Sequence, residues 1–575
     1  MEAQTNAASR VHCPPIRRGG PGDAGPSRAL LWDGRLDNRH ELVAASRQRR
    51  DALDSDVVCA AYDREGLAAL GRVIGDWSIV IADERRGAIV LASDYAGVRP
   101  LYYRTDATGV RWSTRLDSLA PSTGGDDVDE AYVRAYLDRG GGAHRTPFAG
   151  IFAVPAGHAV TVSERGVSVD RFWTPPVATH RRYRDERDYD EHLRHLFTEA
   201  VTVRLRSTAS AVAELSGGLD SSSVVCVADK LMRAGDVATR SLATVSYVHD
   251  RSSDVPFIEA VETARGQQGV RLSTHEYPLV TASESGGSMP AGWGPLHKSV
   301  VRVTRALDAT MLLTGQNGDL VMGNWIDDSL QVAAAVRRGA ARRALADSLA
   351  WSRATRMPML RIMARGVLAA LPPTLSPEGL FAVDASRPAQ CLTPGFRRRT
   401  AAAVATTFDD DWRWALPERR RHFRALAFMR EMRTLQRLEH APQIDYTHPF
   451  AHRPLVEFAM SIPADVLCRP EEPRRLMRRA FAPLWPAALR RRRSKSLFGA
   501  PWVQALRPLA AGLLATDRWE VVERGWIDRA QASAKLQRLV FGIDADQAEL
   551  RHLLLLEYWL RHRTATAHDA RVPAV

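Results

Sequence analysis

The chain is poor in cysteine: Cys13, Cys59, Cys226, Cys391 and Cys468 are the only five in 575 residues, and no two form a C-x-x-C pair. An odd, scattered set of this kind argues against a disulfide framework or a structural zinc site and fits a reducing compartment. Long hydrophobic runs are also missing. The most apolar late stretch, residues 357–371, is interrupted by Arg361 and Arg365 and is too short to span a bilayer. The opening residues Met1-Glu2-Ala3-Gln4 lack the basic region and apolar core of a secretory signal. A soluble, cytoplasmic protein without a membrane span is therefore expected. There is no G-x-x-x-x-G-K-[ST] segment, which excludes a Walker-type phosphate loop. Zinc-finger spacings and aromatic-interleaved basic repeats are absent too, although the net charge is +13. The excess is mostly arginine, with runs at 419–421 and 490–493, and a solvated basic surface is expected in place of a nucleic-acid partner.

What is present starts with an ordinary globular composition, 45% hydrophobic and 25% charged, over a length that implies two or three domains. The most informative stretch is Ser216-Gly217-Gly218-Leu219-Asp220-Ser221-Ser222. It follows the apolar run 211–215, read as a buried strand, and precedes 223–231, read as a helix. A strand that turns through two glycines into a helix leaves free N–H groups at the helix N-terminus, which is an anion site. Gly217 and Gly218 admit a phosphate close to the backbone, Ser216, Ser221 and Ser222 add donors, and Asp220 can hold the Mg²⁺ of a triphosphate. A second parallel strand is predicted over 241–247, after a crossover helix. Ligands sit beyond the C-terminal ends of such strands, so Leu215 and Val245 are placed to flank an adenine, with sheet core an equal reading for Val245. A third strand, 309–313, ends in Thr314-Gly315-Gln316-Asn317-Gly318-Asp319, again a glycine-rich tip with a carboxylate.

The first 28 residues read as a loose lead-in. Residues 30–39 read as a strand entering an Asp33-Gly34 turn, and short strands follow near 75–83, 88–94, 100–104 and 110–114. Residues 174–184 read as a linker and 185–206 as a helix.

The SGGLDSS segment resembles the pyrophosphate loop of ATP-pyrophosphatases, in the form carried by asparagine synthetases and β-lactam synthetases. Those enzymes cleave ATP between the α and β phosphates to make an acyl-adenylate. The N-terminal region, with Tyr95-Ala96-Gly97-Val98-Arg99-Pro100-Leu101-Tyr102-Tyr103, is similar to the glutaminase domain of asparagine synthetases. The resemblance implies an α+β, Ntn-type antiparallel sandwich over 1–176. An α/β ATP-pyrophosphatase domain with a parallel sheet and helical additions follows over 185–575. It also implies ATP and Mg²⁺ as cofactors, Asp319 as a second metal ligand beside Asp220, and Thr314 and Gly315 lining the adenylate. Arg493-Ser494-Lys495-Ser496-Leu497-Phe498 matches the family's R-x-K-x-x-F motif, which makes Lys495 a catalytic candidate that stabilises developing negative charge, and Arg437 falls where a lysine meets the phosphates. Three positions depart from the family. Glu2 stands where a glutaminase has its cysteine, Gln316 replaces a glutamate or tyrosine, and Thr447 replaces an arginine. His448 reads as a structural histidine. No general base is named.

Retained ATP motifs without an expected ammonia source point to an intramolecular amide maker. Trp32-Asp33-Gly34-Arg35-Leu36-Asp37-Asn38-Arg39 looks like the N-terminal motif of lasso-peptide macrolactam synthetases, and the arginine-rich stretch 330–424 would suit a peptide. The implied substrate is a precursor-derived core peptide, with a leader peptidase and a leader-recognition protein as pathway partners. β-Lactam synthetase-like and ammonia-dependent asparagine synthetase-like activities are the alternatives.

Overall fold

In a computed structural model, the structure describes residues 28–107, 109–120, 127–140, 144–177, 181–249, 252–284, 287–323, 327–381, 389–401, 411–433, 435–436, 438–493, 499–543 and 547–569. Eight strands occupy the N-terminal part: β1 (Arg28–Leu36), β2 (Gly75–Asp83), β3 (Ala88–Ser93), β4 (Tyr102–Asp106), β5 (Gly109–Ser113), β6 (Phe152–Ala153), β7 (His158–Ser163) and β8 (Gly166–Arg171). They form an antiparallel sheet in the order β1-β2-β3-β7-β8 and a smaller one in the order β5-β4-β6. Alternation along β2 explains the layering. Trp77, Ile79 and Ile81 face a core shared with Val57, Val58 and Tyr62 of the helix Asp54–Glu65, while Val80 faces Leu101, Tyr103 and Val110 of the smaller sheet.

One expected turn is absent. Asp33 and Gly34 lie inside the β1–β2 ladder, opposite Ser78 and Trp77, and the strand continues to Leu36. Burial of Leu36 in the core beyond the Asp-Gly pair outweighs the local turn preference.

The second half holds a five-stranded parallel sheet of β9 (Ser210–Glu214), β10 (Ser241–Val248), β11 (Val270–Ser273), β12 (Met311–Leu313) and β13 (Asp445–Thr447), in the order β11-β10-β9-β12-β13. The chain moves outward from β9 to one edge, then returns to the other side at β12. The crevice between β9 and β12 is therefore the topological switch point, where ligands bind in open α/β sheets. Helices α1 (Glu186–Leu205), α2 (Leu219–Ala234), α3 (Val255–Arg265) and α4 (Gly294–Ala306) surround the sheet. Ala211, Ala213 and Leu215 face Val224, Val225 and Ala228 of α2, and Val212 faces the opposite core with Leu312, Leu296 and Val300. Among the described residues, 330–424 contribute mainly helices, including Ala341–Thr355 and Met359–Ala370. No described helix is long and apolar enough to cross a membrane.

The arginine runs are not simply solvated. Arg419, Arg420 and Arg492 are buried, each with carbonyl acceptors: Ala459 O at 2.5 Å, Ala415 O at 3.2 Å and Gly217 O at 2.5 Å respectively. A guanidinium carries five donors on an apolar stem, so it can close loop carbonyls that nothing else reaches.

The two halves meet over a buried ionic cluster. Asp76 of β2 accepts from Arg35 at 2.8 Å, from Arg204 of α1 at 3.3 Å and from Thr447 Oγ1 of β13 at 2.9 Å. Arg204 Nε donates to Thr447 Oγ1 at 2.8 Å, and Arg99 pairs with Asp445 at the other end of β13. Burial opposes the charge on Asp76, but Arg35 and Arg204 hold its carboxyl well below the usual range. Removing one member strands the others without solvent. Asp76→Ala should cost about 3 to 5 kcal/mol in chemical denaturation, because Arg204 is left buried and uncompensated. A loss below about 1 kcal/mol, the range of an exposed pair, would show the cluster to be hydrated.

Candidate active site

The loop from β9 to α2 is the stretch expected from the sequence to hold an anion. Helix α2 begins at Leu219, ahead of the expected Ser223, because Asp220, Ser221 and Ser222 are residue types that a first helical turn accepts. Among the described residues no side chain caps Gly218, so the first-turn N–H groups remain for an anion. Ser216 N–H donates to Ser221 Oγ at 3.1 Å, and the two hydroxyls lie 3.0 Å apart. Ser222 Oγ is buried and has no hydrogen-bond partner among the described residues. An uncapped helix end beside an unpartnered hydroxyl is a fit for phosphate oxygens.

Leu215 and Val245 are both fully enclosed, on opposite faces of the sheet. Leu215 N–H is bonded to Val245 O at 2.8 Å, which ties the loop to the neighbouring strand by main chain.

The tip of β12 lies directly on the first turn of α2. A Cβ on Gly315 would stand 2.5 Å from Ser221 N, and one on Gly318 would stand 2.4 Å from Asp220 Cγ, so both positions require glycine. This approach brings the Asp220 and Asp319 carboxylates together, and Arg474, just ahead of the helix α5 (Arg475–Phe481), bridges them with its two terminal nitrogens. Burial, with Arg478 and Arg492 nearby, lowers Arg474 to about 9, so it remains a cation at neutral pH. Two carboxylates that converge on one cation also fit Mg²⁺, which uses one or two protein carboxylates and fills its other positions with phosphate oxygens and water. No cluster of three or more His, Cys, Asp or Glu suited to a metal occurs among the described residues.

Two arginines absent from the sequence-based site thus border it. Arg474 holds the carboxylate pair, and Arg492 joins Gly217 O to Asp254 at the N-terminus of α3 while its guanidinium lies 4.2 Å from the Phe257 ring. Their signal was hidden in an arginine-rich background. Lys495 and Arg437 lie outside the described residues.

Thr314 follows β12 with its hydroxyl 2.7 Å from His448 Nδ1, and His448 Nε2 lies 3.0 Å from Leu435 O. A carbonyl can only accept, so Nε2 carries the proton and Nδ1 accepts from Thr314. Burial holds this imidazole neutral, lowering it to about 4. The histidine is structural, as its surroundings in the sequence suggested. The four described cysteines sit outside the three sheets, and burial raises the Cys226 and Cys391 thiols to about 12, against nucleophilic use.

Two outcomes are expected. Arg474→Met should leave Asp220 and Asp319 repelling each other, so the variant should melt below the parent without metal and regain more stability than the parent when Mg²⁺ is added. Equal Mg²⁺ responses would show that the pair does not converge on the ion. For His448, the unfolded state binds the extra proton between about pH 6.5 and 4. Stability should therefore fall as pH drops through that window, and His448→Asn should reduce proton uptake on unfolding at pH 5 by close to one, measured from the pH dependence of urea midpoints.

Comparison with known proteins follows this geometry. Residues 192–561 match the family model described as asparagine synthase, and residues 28–173 match the glutamine amidotransferase domain. Asparagine synthetase [glutamine-hydrolyzing] 3 of Bacillus subtilis is 24% identical over 331 residues, covering 52% of each chain. Amidase chry2 of Gibberella zeae is 28% identical over 191 residues, 32% of this chain and 27% of its own. Carboxyethyl-arginine beta-lactam-synthase of Streptomyces clavuligerus is 30% identical over 244 residues, 41% of this chain and 45% of its own. The chain thus spans about half the length, or less, of these curated relatives. Among solved structures, the B. subtilis glutamine phosphoribosylpyrophosphate amidotransferase complexed with ADP and GMP aligns over 39% of this chain and 46% of its own, at 13% identity and a TM-score of 0.19, which bears on neither fold nor function. With its antiparallel glutaminase-like domain, its parallel sheet and a family match over most of the second half, the chain belongs to the asparagine synthase family.

Proposed function

We propose that the protein is an ATP-dependent, amide-forming ligase that activates a carboxylate as an acyl-adenylate, and that its substrate is a peptide which it closes into a macrolactam. The observation that carries the ligase reading is the meeting of an uncapped helix N-terminus with the Asp220–Asp319 pair at the sheet's switch point. The first-turn amides of α2 and the serine hydroxyls bind the pyrophosphate portion of ATP. Asp220 and Asp319 hold Mg²⁺, which neutralises phosphate charge when bound. The substrate carboxylate attacks the α-phosphorus, the bond to the β-phosphate oxygen breaks, and pyrophosphate leaves. Lys495 and Arg437 are the proposed charge stabilisers of this step. A tethered amine then displaces AMP from the acyl carbon, helped by the high effective concentration of two ends of one molecule.

The peptide reading, that of a lasso cyclase acting on a leader-free core peptide, draws support from three features. Burial raises the Cys226 and Cys391 thiols to about 12, away from the range of a poised nucleophile. The Trp32–Arg39 segment resembles the lasso-cyclase motif. The helical region carries exposed Arg337, Arg338 and Arg342 beside exposed Leu345, Leu349 and Leu360, a mixed basic and apolar surface suited to an acidic, extended chain. The likeness to a β-lactam synthase favours a second reading, closure of a small amino-acid-derived carboxylate.

Incubation with ATP, Mg²⁺ and a linear core peptide should yield AMP, pyrophosphate and a product lighter by one water and resistant to amine acetylation. ADP as the nucleotide product would refute adenylation. Turnover of a small β-amino acid with no reaction of any peptide would select the second reading.

A further inference from the structure

Four neighbouring strands each present one polar side chain where ligands bind, at the C-terminal edge of the parallel sheet. Glu214 is the last residue of β9, immediately before the phosphate loop. Its Oε1 accepts from Tyr247 OH of β10 at 2.7 Å. On the other side, Gln316 follows β12 and its amide donates to Tyr446 OH of β13. The alternation of β9 sets the side: Ala211, Ala213 and Leu215 face α2, so Glu214, in phase with Val212, faces the opposite side with Tyr247 and Tyr446. The phosphate-binding turn and this carboxyl therefore flank the sheet edge from its two faces, and an acyl group held by the phosphates would have the carboxyl across from it.

Other features of this face suit a small cation. Among the described residues, Tyr247 and Tyr446 are the titratable groups facing Glu214, from β10 and β13, and His297 of α4 lies beyond, its ring 6.4 Å from that of Tyr446. Burial keeps His297 neutral, lowering it to about 4. The metal and phosphate side of the crevice is lined by Arg474 and Arg492, which would repel an ammonium, whereas Glu214 is part-buried and accepts from a neutral phenol. Burial raises this carboxyl to about 7, which matches the work of a base near neutral pH.

We infer that Glu214 receives the attacking amine of the substrate, binding it as an ammonium and taking its proton as the amide forms. The ammonium first gives one proton to the Glu214 carboxylate, directly or through Tyr247; the neutral nitrogen then bonds to the acyl carbon, the bond from that carbon to the AMP oxygen breaks with its electron pair leaving on AMP, and the nitrogen's second proton leaves with the AMP phosphate. This rests on the amide-ligase reading above and adds an amine subsite and a base to it. An α-amine, with its ordinary value near 8, is the class of nucleophile such a carboxyl can deprotonate with little mismatch.

The test separates the two half-reactions. Adenylation is read by ATP–pyrophosphate exchange with an N-acetylated synthetic peptide bearing an internal aspartate, and by hydroxamate formation with hydroxylamine, a nucleophile already neutral at pH 7. Amide formation is read with the same peptide carrying a free N-terminus. Glu214→Gln should keep exchange and hydroxamate formation within a few-fold of wild type, and should slow cyclisation by about 10²- to 10³-fold. Wild-type cyclisation should rise with pH through about 7, as Glu214 deprotonates, and this limb should vanish in Glu214→Gln and move to higher pH in Tyr247→Phe, where the carboxylate loses its donor. Cyclisation by Glu214→Gln at the wild-type rate, or equal loss of exchange and cyclisation, would overturn the assignment. Absence of exchange in the wild-type enzyme with the peptide and with a small β-amino acid alike would instead overturn the ligase reading, and this one with it.

Discussion

The buried cluster around Asp76 is the interaction on which the geometry of the site depends. It ties β2 of the first domain to α1 and β13 of the second, and β13 is the edge strand that pairs with β12. Because β12 is three residues long, it has little pairing of its own with which to define where its tip falls. Its neighbours supply that definition: β9 on one side, and on the other a strand held at Asp445 by Arg99 and at Thr447 by Asp76 and Arg204. The glutaminase-like domain is thereby part of the frame that places Gly315, Gly318 and Asp319 against α2. Buried ion networks are weak sources of net stability, but they penalise any arrangement in which a partner is missing, and so they fix relative position.

Thr447 illustrates how a departure from a family pattern is absorbed. The resemblance places an arginine at this position, and here the side chain is short. The guanidinium of Arg204 reaches the same spot from α1 and bonds the threonine hydroxyl. Arg204 thus supplies a positive charge next to both Thr447 and Asp76.

The site itself is crowded with arginine. Arg474 and Arg492 stand against the loop and the carboxylate pair. Glu214 stands on the other face of the sheet and accepts from the Tyr247 phenol.

The local elements were legible because each rests on short-range patterns. The strand before SGGLDSS, the crossover to 241–248, the antiparallel strands of the first domain and the helix over 186–205 follow from apolar periodicity and from glycine and aspartate at the boundaries. The strand-turn-helix at SGGLDSS, with Asp220 in the first helical turn, was readable for the same reason. Other features required the tertiary structure. The Asp33-Gly34 turn was misplaced because ladder pairing with β2 outweighs a local preference. The arginine runs were taken as surface because composition does not say which guanidinium meets a buried carbonyl. Arg474 and Asp220 lie 254 positions apart, and Glu214, Tyr247 and Tyr446 come from three separate strands. The sequence by itself determined most of the local elements, among them the strand, turn and helix at SGGLDSS. The order of strands in the sheet decided which charges face one another, because electrostatic partnership depends on distance in space, and that distance is set only when the sheet assembles.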